Sequence, residues 1–290
     1  MTEYRIFSNA KINIGLNVFQ KESDGFHNID SIMAPIDLYD EMEITFYSEI
    51  GNLKIGCSDS SIPTDERNIL YKTYKVFFEE SKREKEKISI FLTKKIPSEA
   101  GLGGGSSNAA FFLKLLNEHY GNIYSESKLE ELAMKIGSDV PFFIKNKTAR
   151  VRGKGNKIEV VENNLKDSVI LIKPLYLGVS TKEAYGNFDK LKEVKYANFD
   201  KIIENLKDGN RIALENNIEN SLEQGILETN IEVKMLKMTL NSVISGKKFF
   251  MSGSGSTYYT FVTELEKSQI ETRLKTFVDN VKIIICKTIN

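Results

Sequence analysis

The sequence predicts an α+β fold in two parts. Apolar and polar residues alternate in short segments early in the chain, helical patterns dominate from Thr181 to Val243, and hairpin-like strands return near the end. A doubly wound parallel sheet would instead alternate strands and helices regularly. The polar stretch Glu162-Asn-Asn-Leu-Lys-Asp167 divides the chain into residues 1–161 and 162–290, with the last strand free to return to the first part.

In order along the chain, Ile12, Ile14, Leu16 and Val18 alternate with Lys11, Asn13, Gly15 and Asn17, which predicts a half-buried strand with Lys11 and Asn13 on the face opposite the core. Met42, Ile44 and Phe46 predict a second strand, and Ile88, Ile90 and Leu92 another. Between these two, Asn68 caps a helix through Leu70, Tyr74, Phe77 and Phe78. A buried helix over Ala109–Leu116 ends near Gly121, and Ser127-Lys-Leu-Glu130 reads as a capping box for a helix that stops at Gly137. Arg152-Gly-Lys-Gly155 turns between the short segments Ala149–Val151 and Ile158–Val160. Val169–Ile172 is a strand. Phe249-Phe-Met251, a second glycine turn at Ser252-Gly-Ser-Gly255, the strand Tyr258–Val262, a charged helix and the strand Lys282–Lys287 complete the chain.

At 290 residues, 41% hydrophobic and 28% charged, the chain has the composition of an ordinary globular protein. Lys and Arg together number 40, as do Asp and Glu, so no general positive field exists to attract nucleic acid. Two distant cysteines, Cys57 and Cys286, make neither a disulfide framework nor a zinc-ligand spacing. The longest apolar runs, Val169–Ile172 and Ile283–Ile285, are strand-sized and too short to span a bilayer. The first residues lack the apolar core of a signal peptide, so a cytoplasmic soluble enzyme is expected, without nucleic-acid or membrane partners.

The chemistry concentrates in Pro97-Ser-Glu-Ala-Gly-Leu-Gly-Gly-Gly-Ser-Ser107, directly before an apolar helix. Gly101, Gly103, Gly104 and Gly105 let the backbone approach a ligand with its N–H groups turned inward, and the helix N-terminus adds unpaired donors and partial positive charge. Ser106 and Ser107 suit phosphate oxygens or Mg²⁺. A glycine turn that merely caps a helix is the plainer alternative. No Lys follows the last glycine, so this is not a Walker A loop; no acidic residue ends a following strand at the distance a dinucleotide fingerprint requires.

This loop resembles the second motif of the galactokinase, homoserine kinase, mevalonate kinase and phosphomevalonate kinase superfamily, and Ser252-Gly-Ser-Gly-Ser-Thr257 resembles its C-terminal glycine motif. Ala10-Lys-Ile-Asn13, Asp24-Gly-Phe-His27, Gly137-Ser-Asp-Val-Pro141 and Gly178-Val-Ser-Thr181 to Tyr185 are similar to segments of its 4-diphosphocytidyl-2-C-methyl-D-erythritol kinase branch. These matches run in order from residue 10 to about 260. The resemblance implies an N-terminal domain like a ribosomal-protein domain, a ferredoxin-like C-terminal domain and an active site in the cleft between. It also implies transfer of the ATP γ-phosphoryl group, with Mg²⁺, to the 2-hydroxyl of 4-diphosphocytidyl-2-C-methyl-D-erythritol. Two positions depart from the family pattern: Phe26 stands where Tyr is usual, and Asn156 where Glu is frequent.

By the same resemblance, Asp139 faces the substrate hydroxyl as general base with Lys11 beside it, although an isolated Asp in this setting is ordinarily a turn or cap residue. A carboxylate beside a lysine cation accepts a proton weakly, and the loose transition state of phosphoryl transfer demands little early deprotonation, so Asp139 would orient the hydroxyl and take its proton late. Pro97, Gly101, Leu102, Gly103, Gly104, Gly105, Ser106 and Ser107 form the ATP loop. Lys94, at a strand end before the loop, suits ATP phosphate or an ordinary surface position. Asn68 suits adenine or its helix cap equally. Asn13, Phe26, His27, Thr181, Tyr185, Gly253 and Gly255 are the substrate-side residues, with Phe26 and Tyr185 as stacking faces for a cytosine base read by His27. The plain alternatives are core packing for the rings and a loop hydrogen bond for His27. Another alcohol kinase of the same superfamily is one rival reading; a catalytically silent nucleotide-binding protein is the other, disfavoured because Lys11, Asp139 and the loop glycines are all intact.

Overall fold

A computed structural model describes residues 1–289. The elements in chain order are β1 (Thr2–Lys21), β2 (His27–Ile50), β3 (Leu53–Cys57), α1 (Ile69–Ser81), β4 (Glu86–Thr93), α2 (Gly104–His119), α3 (Glu126–Ile136), α4 (Val140–Lys145), β5 (Ala149–Gly153) and β6 (Lys157–Val160). There follow β7 (Ser168–Pro174), α5 (Thr181–Phe188), α6 (Phe199–Asp208), α7 (Arg211–Glu215), α8 (Ser221–Thr229), α9 (Ile231–Val243), β8 (Phe250–Met251), β9 (Tyr258–Val262), α10 (Glu264–Phe277) and β10 (Val281–Lys287). The mixture is α+β, as the sequence predicts. Among the described residues no helix is long and apolar enough to cross a membrane.

Contacts divide the chain into two compact units. One comprises Met1–Ala10, Leu38–Ser98 and Gly103–Asn146; the other comprises Lys11–Asp37, Glu99–Leu102 and the chain from Lys147 onward.

In the first unit β4 pairs antiparallel with the second half of β2 and parallel with β3. The even residues Met42, Ile44 and Phe46 are buried, as are Ile88, Ile90 and Leu92, so the period of two faces a core on one side. Asn68 caps α1 through its side chain, which accepts from the Leu70 amide at 3.0 Å. Helix α2 packs against α1 and α4, burying Phe112, Leu113 and Leu116.

Helix α3 starts two residues earlier than the predicted capping box. Its N-cap is Ser125, whose hydroxyl accepts from the Lys128 amide, not Ser127. The reason lies upstream: Asn117 Oδ1 accepts from the Tyr124 amide at 2.9 Å and its Nδ2 donates to the Tyr124 carbonyl at 3.0 Å. This side chain on α2 anchors the residue before Ser125 and so sets where the helix begins.

In the second unit β10, β7, β9 and β8 form a four-stranded antiparallel sheet in that order. Every residue of β7 is buried, which suits its unbroken apolar run Val169–Ile172. Ile170, Ile172, Tyr258 and Val262 from the sheet share a core with Phe188, Leu222, Ile226, Leu240 and Leu274 from the helices. The first half of β2 pairs with β5, and β5 with β6, closing the expected hairpin.

One expectation for β1 needs correction. Lys11 and Asn13 do lie opposite Ile12 and Ile14, but that face is not solvated: Lys11 is 3% and Asn13 2% exposed. Other parts of the chain cover it with matching polar groups.

The α3 start is testable by equilibrium denaturation. Ser125→Ala should cost about 1 kcal/mol, the usual value of a lost N-cap, and Ser127→Ala should be nearly neutral. The reverse ranking would restore the capping box at Ser127.

Candidate active site

In the second unit the buried face of β1 meets two glycine-rich turns. Lys11 Nζ donates to the Gly101 carbonyl at 2.9 Å and to Asn13 Oδ1 at 2.5 Å. Its backbone N–H donates to the Leu102 carbonyl at 3.0 Å. Asn13 Nδ2 donates to Ser31 Oγ at 2.8 Å, and the Asn13 carbonyl accepts from the Tyr259 hydroxyl at 2.8 Å. Ser252 Oγ donates to the Gly101 carbonyl at 3.0 Å and accepts from the Asn13 amide at 3.3 Å. A buried lysine is costly unless its charge meets acceptors, and the Gly101 carbonyl and Asn13 Oδ1 are among those it meets here.

Only glycine suits two of these positions. Gly101 has φ +72°, and a Cβ built there would lie 1.9 Å from the Ser252 carbonyl oxygen. Gly253 has φ +56°, and its Cβ would lie 3.1 Å from the Gly101 oxygen and 3.2 Å from both Asn13 Oδ1 and Lys11 Nζ. The structure thus brings together Lys11, Asn13, Gly101, Leu102 and Gly253. Gly255 lies in the same turn, where its added Cβ would meet Met251 Sδ at 2.7 Å.

Three further residues outside the predicted set, Asn220, Lys173 and Ser256, bond in or beside the C-terminal glycine turn. Asn220 Nδ2 donates to the Met251 carbonyl at 2.8 Å and the Gly253 carbonyl at 2.9 Å, while its Oδ1 caps α8. Its position before a helix signals the cap, but nothing local signals the turn. Lys173 Nζ donates to Ser256 Oγ at 2.7 Å and the Leu177 carbonyl at 3.0 Å. Burial pulls the Lys173 ammonium below the usual lysine range, and the Glu99 carboxylate opposes that shift. Ser256 donates in turn to the Leu177 carbonyl, leading into the segment before α5.

Of the remaining substrate-side residues, Thr181 Oγ1 lies 3.2 Å from Ser254 Oγ. His27 uses both ring nitrogens: Nδ1 is 2.8 Å from the Phe19 carbonyl, which makes it the donor, and Nε2 is 3.3 Å from Asp189 Oδ1. The Tyr185 ring lies 5.1 Å from the His27 ring, centroid to centroid. Phe26 is 64% exposed, with the Lys154 ammonium 5.5 Å from its ring centre. Asn156 Oδ1 accepts from the Lys154 amide at 3.2 Å, inside the hairpin turn.

The first unit holds the other predicted residues. Gly103 is the N-cap of α2, which opens with Gly104, Gly105, Ser106 and Ser107. Ser107 is fully buried and its Oγ has no hydrogen-bond partner. Pro97 precedes the loop, half-buried. Asn68 uses both ends of its side chain locally, since Nδ2 donates to the Pro63 carbonyl at 2.7 Å. Lys94 pairs with the buried carboxylate of Asp40, a residue the sequence reading passed over. Its signal was parity: Asp40 shares the core-facing phase of Met42, Ile44 and Phe46. Asp139 occupies the N-cap position of α4, half-buried, yet its side chain does not cap the helix.

The family described as GHMP kinases N terminal domain matches residues 68–147. A 4-diphosphocytidyl-2-C-methyl-D-erythritol kinase of Fusobacterium nucleatum subsp. nucleatum is 83% identical over all 290 residues, covering 100% of this chain and 99% of that protein. The chain belongs to the 4-diphosphocytidyl-2-C-methyl-D-erythritol kinase family. A crystal structure of 4-(cytidine 5'-diphospho)-2C-methyl-D-erythritol kinase superposes with TM-score 0.76 at 25% identity, over 98% of this chain and 99% of that one. A homoserine kinase from Cytophaga hutchinsonii superposes equally well, with TM-score 0.78 at 18% identity over 99% of this chain and 95% of that one. The fold is therefore common to kinases with different acceptors, and the sequence identity decides the family. As a member of a kinase family, the chain is an ATP-dependent phosphotransferase.

The double use of Asn220 has a measurable consequence. Asn220→Asp keeps an oxygen for the α8 cap but sets a carboxylate against two carbonyls. It should lose about 2 kcal/mol or more in urea unfolding, the scale of buried polar groups left unpaired, and at least as much as Asn220→Ala. A near-neutral Asn220→Asp would mean that Asn220 only caps the helix.

Proposed function

We propose that this kinase transfers the ATP γ-phosphoryl group to the 2-hydroxyl of 4-diphosphocytidyl-2-C-methyl-D-erythritol, in the cytoplasm, as a step of non-mevalonate isoprenoid precursor synthesis. The observation that carries the substrate is the 83% identity, over the full chain, to a kinase named for that acceptor.

In this reading the backbone N–H groups of Gly103 to Ser107, at the start of the 16-residue helix α2, hold the nucleotide phosphates. Mg²⁺ supplies charge neutralisation on the phosphates. Among the described residues no three His, Cys, Asp or Glu side chains gather to hold a metal. The buried and unpartnered Ser107 Oγ would be a suitable protein hydroxyl for the ion or for a phosphate oxygen.

Asp139 is assigned to orient the acceptor hydroxyl and to receive its proton late, since a loose transition state asks for little prior deprotonation. Lys11, fixed by Gly101 and Asn13, contributes positive charge. Asn13, Thr181, Gly253 and Gly255 belong to the acceptor side. Phe26 and Tyr185 are assigned to stacking on the base and His27 to reading its edge. Because His27 Nδ1 donates to the Phe19 carbonyl, Nε2 is the nitrogen left to face a ligand if Asp189 yields. Lys94 and Asn68 remain assigned to the nucleotide side, each already holding a protein partner.

ADP release, measured with a panel of alcohols, tests the function. The cytidine diphosphate acceptor should be turned over, whereas methylerythritol phosphate, homoserine and mevalonate should be poor substrates, because the base and its diphosphate supply binding energy remote from the hydroxyl. Turnover of homoserine or mevalonate in preference would overturn the acceptor. In the same assay Asp139→Asn should lower kcat about a hundredfold or more with little change in either KM. A near-normal kcat would remove Asp139 from the chemistry.

A further inference from the structure

Asp40 is fully buried in the first unit, and its carboxylate is surrounded by donors. Oδ1 accepts from the Lys95 amide at 2.7 Å and the Ile96 amide at 2.8 Å. Oδ2 accepts from Lys94 Nζ and from Asn108 Nδ2, the latter at 3.1 Å. Lys94, Lys95 and Ile96 lead into the glycine-rich loop. Asn108 stands in the first turns of α2, immediately beyond it, and is itself held by Ser8 Oγ at 2.7 Å. One acceptor-only group therefore grips both ends of the loop.

The grip extends to the loop's closest packing. A Cβ on Gly104 would meet Ile96 Cγ2 at 3.0 Å and Lys94 Nζ at 3.2 Å, so the first residue of α2 rests against the residues that Asp40 holds. Loop glycines have no side chains with which to fix their own course, and their geometry must come from anchors outside the loop. We propose that Asp40 is a positioning residue for phosphoryl transfer, setting the spacing between the entry and exit of the phosphate loop so that its N–H groups converge on the nucleotide. This rests on the reading of the glycine loop as the nucleotide site.

An asparagine at position 40 has the right size and the wrong chemistry. Its one oxygen cannot serve all four donors, and its amide group would point N–H bonds at the Lys94 ammonium or the Asn108 amide. Asp40→Asn also leaves a buried lysine without its counter-charge, which lowers stability by itself. The double variant Asp40→Asn with Lys94→Met removes that second defect, and measured against Lys94→Met alone, which loses the lysine and keeps the carboxylate, it separates balancing a charge from positioning the loop.

The experiment measures KM for ATP, KM for the alcohol acceptor, kcat and the thermal midpoint. Asp40→Asn should raise KM for ATP about tenfold or more while KM for the acceptor stays nearly constant. The double variant should recover thermal midpoint and keep a KM for ATP well above that of Lys94→Met alone. A folded double variant whose KM for ATP is no higher than that of Lys94→Met alone would show that Asp40 only balances Lys94, and would overturn the proposal. Should both variants fail to fold, Asn108→Ala removes the exit contact together with the bond to Ser8, and Ser8→Ala is its control: a KM for ATP raised in Asn108→Ala beyond that of Ser8→Ala supports the clamp and an unchanged one overturns it. Gly105→Val serves as the control on the nucleotide reading, since an added Cβ there meets only Ile69 at 3.9 Å and the fold has room for it. If Gly105→Val leaves ATP use unchanged, the loop is not the nucleotide site. If it abolishes ATP use while the Asp40 variants do not impair it, the clamp alone is wrong.

Discussion

The carbonyl oxygen of Gly101 accepts hydrogen bonds from Lys11 Nζ and Ser252 Oγ, and the second unit's part of the candidate site is arranged around that atom. Each donor is itself committed elsewhere. Lys11 also holds Asn13, Asn13 holds Ser31, and Ser252 receives the Asn13 amide. A charge buried this deeply is tolerated only where acceptors replace water, so Lys11 cannot change partners without leaving polar groups unpaired. The result is a lysine whose position is over-determined. That is the condition for a charge to act on a reacting centre without reorganising first.

Each unit follows the same principle with opposite signs. In the second, a buried cation is fixed by carbonyl and amide oxygens; in the first, the buried anion Asp40 is fixed by amides and an ammonium. Both adjoin chain segments rich in glycine, where side chains offer no local control. Rigidity at such turns has to come from neighbours, and charge-assisted hydrogen bonds are the stronger kind available.

Much of this was legible because it is local. The strand Tyr258–Val262, the Asn68 cap and the helix after the glycine loop follow from period, capping chemistry and apolar runs within a few residues. What failed was set at a distance. Ser125 and Ser127 are both competent caps, and Asn117 on the preceding helix decides between them. The polar face of β1 reads as solvated until Gly101, Ser252 and Tyr259 are known to cover it. Motif resemblance supplied Lys11, Asp139 and the glycines, but it carried no account of Asp40 or Asn220, which lie outside the motifs and act through bonds to residues inside or beside them. A carboxylate in core-facing phase on an otherwise apolar strand face was the available clue for Asp40.

Gly101 must be glycine because its carbonyl and Cα are enclosed by the C-terminal glycine turn, and the chain runs on from it directly into the proposed nucleotide loop. Titration calorimetry of ATP binding to Gly101→Ala, with thermal unfolding as the check on folding, tests it most directly. An added methyl 1.9 Å from the Ser252 oxygen, at φ +72°, has to displace one turn or the other. The variant should remain folded with a lowered thermal midpoint and bind ATP at least about tenfold more weakly, a loss of about 1.4 kcal/mol. Wild-type ATP affinity in a folded Gly101→Ala protein would contradict the claim.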